Sequence, residues 1–309
     1  MTSRNSSALL VLAALCLSAC GNYSNEDLDF QLALPEDGDL DVKLPQALTN
    51  DASSEYYKVT RNVVTTFNGG ATALVGLVDH VRGYSPTSRN GAQRIWGPFS
   101  DDNHPGWQIR VVMERFADPS APPPAFQISY SVQLRNTTQG GSSFFDFMTG
   151  NYKSSGSARR GEGDMHLDVQ TARDAGYSVD DFGEMSQLSL DYHTLNYPIT
   201  VNMNITNVAT AKTLGATYGY SENADGSGQL TFDWTVDVVP GVAGATDVSF
   251  ISRWLGSGAG RADAYLSNGN VAVGIDCWGL DTVADYVWRW NGQGDLNTAD
   301  LCALGTPVL

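Results

Sequence analysis

The sequence predicts a mainly β, α+β protein: one large, strongly curved antiparallel sheet, half-barrel or barrel-like, packed on an N-terminal helical hairpin. Strict alternation is the first observation behind this. Phe126, Ile128, Tyr130, Val132 and Leu134 are interleaved with Gln127, Ser129, Ser131, Gln133 and Arg135, and the stretches 199–206 and 230–238 follow the same rule. Such a pattern buries one face of a strand and wets the other, as in an antiparallel sheet. The second observation is helical spacing upstream, where Tyr56, Val59, Val63 and Phe67 fall on one stripe. The third is the abundance of Gly, Ser, Asn and Thr, which suits many turns between short strands. About ten consecutive strands with one apolar face must curl or pack. Wrapping the sheet on the helices is the economical solution, with a closed barrel or a two-sheet sandwich as the alternative. A membrane-spanning barrel is not expected, because the strands are short of aromatic girdles.

Residues 1–19 carry Arg4, an apolar run from Ala8 to Leu17 and small residues ahead of Cys20, the layout of a secretory signal. The run is too short to cross a bilayer, which takes about 20 apolar residues. Leu17-Ser18-Ala19-Cys20 reads as a lipobox, which makes Cys20 the expected lipidation site. Each buried CH₂ of the attached chains would contribute about 0.8 kcal/mol to membrane anchoring. Residues 20–49 read as an acidic flexible tether: Glu26, Asp27, Asp29, Glu36, Asp37, Asp39 and Asp41 stand against one base, Lys43. Self-repulsion keeps such a segment extended.

A single domain is expected over 50–309, with a helical region at 50–85 and the sheet at 95–309. Asn50 or Asp51 would cap the first helix, with Glu55 in its first turn. Gly69-Gly70 would break it, and Ala71 to Val81 would form the second arm of the hairpin. Further strands are expected at 108–116, 144–153, 162–170, 186–194, 216–222, 247–255, 260–267 and 270–278, with a short helix within 171–185.

Asn268-Gly269 signals a two-residue type I′ turn. It would pair Leu266 with Val271, Ala264 with Val273 and Ala262 with Ile275 on an apolar face, and Arg261 with Asp276 on the other. That register puts Cys277 on the apolar face. Cys16 leaves with the leader and Cys20 is lipidated, so Cys277 and Cys302 remain as a disulfide pair in an oxidising envelope. In the chain-entropy model that loop is worth roughly 3–4 kcal/mol. A zinc site is disfavoured, since no histidine lies near either cysteine.

Composition narrows function by exclusion. The chain holds 34 Asp+Glu against 18 Lys+Arg, a net charge of −16 that repels nucleic acid and anionic headgroups. Gly83-Tyr84-Ser85, Gly176-Tyr177-Ser178 and Gly219-Tyr220-Ser221 lack the second glycine of a nucleophile elbow. Gly161-Glu162-Gly163, Gly226-Ser227-Gly228 and Gly258-Ala259-Gly260 open no helix, so they read as bends of the sheet rather than phosphate loops. His80, His104, His166 and His193 show no metal spacing, and His166 and His193 should point to the wet face. Asp37-Gly38-Asp39-Leu40-Asp41 lacks the later positions of a calcium loop, and Asn223-Ala224-Asp225-Gly226 reads as a hairpin turn. Tyr286, Trp288 and Trp290 line one face of an extended segment, as core or as an exposed aromatic row. No catalytic motif, metal site or cofactor is expected.

Trp96-Gly97-Pro98-Phe99-Ser100-Asp101, Trp107, Arg253-Trp254, Gly258-Ala259-Gly260-Arg261-Ala262-Asp263 and Cys277-Trp278 together resemble a group of uncharacterised secreted bacterial lipoproteins. In outline, a bent sheet on helices is also similar to periplasmic lipoprotein carriers. The resemblance implies an outer-membrane lipid anchor, because Gly21 rather than Asp follows the cysteine. The expected function is a lipid-anchored envelope lipoprotein holding an apolar or lipid-like ligand against its sheet. The alternatives are a surface, adhesion or structural module that meets an envelope component, and a hydrolase of envelope polymers whose carboxylate pair the sequence does not identify.

Overall fold

In the computed structural model, period-two alternation becomes fourteen strands in one antiparallel meander. The structure describes residues 25–45, 53–79, 83–117, 126–140, 142–154, 161–209, 212–236, 246–266 and 271–289, with 302 and 304. Cys16, Cys20, Asn50, Asp51, His80, Asn268, Gly269 and Trp290 lie outside these residues. The strands are β1 (Ser88–Asn90), β2 (Gln93–Ser100), β3 (Trp107–Ala117), β4 (Phe126–Asn136), β5 (Phe145–Ser154), β6 (Gly161–Asp168) and β7 (Met185–His193). They continue as β8 (Ile199–Ala209), β9 (Lys212–Glu222), β10 (Gly228–Val236), β11 (Thr246–Trp254), β12 (Gly260–Leu266), β13 (Val271–Trp278) and β14 (Ala284–Arg289). Each pairs only with its neighbours in sequence, so β1 and β14 stand at the two ends of the order.

The sheet is therefore open. The half-barrel or barrel-like sheet expected from the sequence is not what forms: it is neither closed nor strongly curled. Closure would need β1 to pair with β14, and β1 is three exposed residues. The apolar face is covered instead by other parts of the chain. Helix α1 (Asn25–Leu32), the segment after it and helix α2 (Glu55–Asp79) bury Phe30, Leu34, Leu40, Phe67, Leu74 and Val78 in one cluster with Trp96, Ile128, Leu190 and Leu230 of the sheet.

No helical hairpin forms. Glycines 69 and 70 sit inside α2, which runs unbroken for 25 residues. Each glycine costs a helix about 1 kcal/mol against alanine, but apolar residues before and after both, Val63, Val64, Phe67, Ala71, Leu74 and Val75, are buried on the same stripe. A Cβ at Gly70 would lie 3.1 Å from the Met203 side chain of β8, so glycine here brings helix and sheet together. Ser54 caps the helix, accepting from the Tyr57 N–H at 3.3 Å.

The acidic tether is a second correction. Residues 25–45 are folded, with Asp27 and Leu34 fully buried. Asp27 accepts from Arg94 Nε at 2.7 Å and Arg89 Nη2 at 2.9 Å, Glu26 pairs with Arg94 at 2.9 Å, and Asp29 with Arg115 at 3.1 Å. The local charge excess is thus neutralised by arginines of β1–β3. The segment then runs beside α2, where Val42 N–H and Asn68 Oδ1 bond at 2.9 Å and Thr72 donates to Asp37 at 2.8 Å.

The β12–β13 register is a third. Leu266 pairs with Val271 as expected, but an irregularity at Ala264/Tyr265 shifts the rest by one residue. Ala264 meets Gly274, Ala262 meets Asp276, and Arg261 meets Cys277. One slipped residue moves side chains to the other face. Asp276 now faces α2, and Cys277 lies with Ile275, Tyr286 and Trp288 in a small separate cluster. The sulfurs of Cys277 and Cys302 are 2.05 Å apart, away from α2 rather than on its side of the sheet.

Candidate functional site

Two cavities concern function, one on each face of the sheet. The first lies beside the C-terminal part of α2 and encloses about 380 Å³, within the usual range of roughly 300–1,000 Å³ for ligand sites. Its walls are apolar: Leu77 of α2, Phe99 of β2, Val111 of β3, Val132 and Leu134 of β4, and Phe147 of β5. Gly76 of α2 is exposed and borders the space, with nothing within 4 Å of where its Cβ would stand.

The mouth is polar and comes from the β2–β3 loop, Ser100 to His104, together with Tyr177. Asp101 builds the loop. Its Oδ1 accepts from the backbone N–H groups of Asn103 at 3.0 Å and His104 at 3.2 Å, the geometry of an Asx turn. Its Oδ2 meets His104 Nδ1 at 2.8 Å and accepts from the Tyr177 hydroxyl at 2.6 Å. Burial alone would push the Asp101 carboxyl up, but the bonds from Tyr177 and His104 outweigh it and hold the group below its ordinary value. An ionised carboxylate only accepts, so the network assigns the His104 proton to Nδ1.

Tyr177 arrives from a different part of the chain. Helix α3 (Val169–Asp174) is capped by Asp168, which accepts from Thr171 N–H at 2.9 Å. It ends at Gly176 with φ +84°. Gly176 N–H bonds to the Arg173 carbonyl and Tyr177 N–H to that of Ala172, a Schellman ending. That turn delivers the ring against Trp107 at 5.1 Å and His104 at 4.2 Å. Burial first, and the bond to Asp101 second, raise the Tyr177 phenol well above its ordinary value, so it stays a donor.

Asp101 and His104 form a carboxylate–imidazole pair that also holds the Tyr177 hydroxyl. The pair therefore shapes and polarises a pocket mouth. The sequence showed only that His104 has no metal spacing to another histidine and did not connect it to Asp101.

The second cavity, about 440 Å³, lies on the face opposite α2, between Asn151, Lys153, Glu162, Asp164, Asp191 and His193. Asp164 of β6 stands directly opposite Asp191 of β7. Burial and then the Asp191 charge raise the Asp164 pKa, while Asn151 bonds at 3.2 Å work against this. His193 meets Glu162 at 3.3 Å on this wet face, where His166 is also exposed.

Other expected sites lie apart from both cavities. The turn at Asn223–Gly226 is a hairpin turn, closed by Asn223 N–H to the Ser227 carbonyl at 2.8 Å. Tyr286 and Trp288 pack beside the Cys277–Cys302 pair. Among the described residues no group of three His, Cys, Asp or Glu could hold a metal, and no helix is long and apolar enough to cross a membrane. Comparison with known proteins finds no matching family model, curated protein or solved structure.

Proposed function

We propose that the chain is an envelope lipoprotein, anchored through Cys20, that holds an apolar or lipid-like ligand in the pocket beside α2. One observation carries the ligand reading: an apolar cavity of about 380 Å³ with a hydrogen-bonded polar mouth, beside a buried core that helix and sheet share. Convergent polar groups over an apolar wall are the usual form of a small-molecule site. The anchor rests on the sequence alone, on Leu17-Ser18-Ala19-Cys20.

Native mass spectrometry of the chain purified without its leader and with Cys20→Ser tests the ligand reading. A co-purifying or added apolar adduct is the expected result. No adduct, and no displacement of a neutral fluorescent probe by any alkyl compound, would remove it. Incorporation of labelled palmitate, present in the full chain and lost in Cys20→Ser, tests the anchor separately.

A second reading, hydrolysis of an envelope polymer, is favoured by the Asp164–Asp191 pair, since directly opposed residues hold their Cβ atoms about 4.5–5.5 Å apart. Release of reducing sugar from a cell-wall polysaccharide, abolished by Asp164→Asn, would support it. Identical rates in wild type and variant would dismiss it.

A further inference from the structure

The pocket beside α2 has one-sided electrostatics. Asp101 and Asp102 stand at its mouth, and no lysine or arginine lines it among the described residues. Asp102 is exposed, whereas Asp101 is only 9% exposed and already bonded through both oxygens. With Nδ1–H given to Asp101, Nε2 of a neutral His104 ring is an acceptor. The Ser100 hydroxyl and Asn103 amide at the mouth can both donate and accept, so what is one-sided there is the charge, negative with no cation, above walls made of Phe99, Ile109, Val111, Val132, Leu134 and Phe147.

We propose that this pocket selects an apolar chain whose head donates hydrogen bonds and bears no negative charge, a hydroxyl or an amine, and that it rejects free fatty acids. The inference rests on the ligand reading above and adds the chemistry of the head. A carboxylate placed at the mouth would meet two like charges with no countercharge and would have no proton to offer Nε2. A hydroxyl or ammonium head supplies what Nε2 and Asp102 lack. Like charges at a partly exposed site are screened by salt, so discrimination against the carboxylate should narrow as ionic strength rises.

The test uses four probes of one chain length, 1-dodecanol, monolauroylglycerol, dodecylamine and dodecanoate, displacing neutral N-phenyl-1-naphthylamine from the purified chain at neutral pH and low salt. The amine and the hydroxyl-headed probes should bind at least tenfold more tightly than dodecanoate, and the two arms report which donor head is preferred. Asp102→Asn, an exposed change that leaves the walls intact, should shrink the amine-to-carboxylate ratio at least threefold. Dodecanoate binding as tightly as the other three, or a ratio unmoved in Asp102→Asn, overturns the head-group inference and leaves the apolar pocket standing. Failure of all four probes to displace takes down the pocket reading itself.

Discussion

The two ends of α2 meet the same sheet in opposite ways. At the N-terminal end the helix is sealed. Asp276 of β13 accepts from the Ser54 hydroxyl at 2.6 Å, the Tyr56 N–H at 3.0 Å and Arg289, so the first turn of the helix is satisfied by a buried carboxylate. Tyr57 packs edge-on against Trp278 at 5.4 Å, and Phe250, Ala262 and Ala264 complete a separate small core. At the C-terminal end, Gly76 and Leu77 leave space against β2–β5, and the polar groups there bond to each other rather than to the helix. One end spends its polar groups on fixing the helix, and the other leaves a cavity with a rim.

Breaking the sealed end should have the largest effect. Asp276→Ala strips Arg289 and the helix N-terminus of a partner that is 1% exposed, and loss of one member of such a buried pair costs about 3–5 kcal/mol. Chemical denaturation should show this, with probe affinity at the pocket unchanged in the fraction still folded. Gly260→Ala comes next. Its Cβ would stand 2.5 Å from Trp278 Cζ2 and 2.6 Å from the Arg253 carbonyl oxygen, so about 1–3 kcal/mol should be lost through overpacking.

Changes at the open end should be smaller. Tyr177→Phe removes the hydroxyl from Asp101 and should cost about 1.5 kcal/mol, the size of a hydrogen bond to a charged group. The sign of its pH dependence follows from Asp101, whose carboxyl is held below its ordinary 3.8. That contribution is present above 3.8 and is lost as pH falls through the lower folded value. In Tyr177→Phe the acid limb of the stability curve should therefore move to higher pH. A carboxyl NMR titration in which Asp101 is unmoved by the substitution would contradict the assignment.

This contrast also sets how far the sequence could be read. Alternation made the strands plain because burial on one face forces it, and β4 follows its pattern from Ile128 to Leu134. Alternation says nothing of irregularities, so the shift at Ala264/Tyr265 reversed the expected facing of Asp276 and Cys277. Helix continuity through Gly69-Gly70 was hidden because tertiary burial on either side outweighs local propensity. The acids of 26–29 looked unpaired because Arg89, Arg94 and Arg115 lie more than sixty residues away in the chain. At the pocket, Asp101 and His104 are three residues apart and form a readable Asx turn, whereas Tyr177 is 76 residues from Asp101. No local pattern joins the two.

Occupancy of the open end is the decisive quantity. Gly76→Phe adds a ring at an exposed helix position on the border of the cavity, where a Cβ meets nothing within 4 Å, and exchanges glycine for a residue that favours helix by roughly 0.5 kcal/mol. Titration of a neutral apolar probe into wild type and Gly76→Phe, with thermal unfolding of both, measures it. Probe affinity reduced at least tenfold, with a melting temperature equal to or above wild type, is the predicted result. Equal affinity in two equally stable proteins would place the ligand elsewhere and contradict the account.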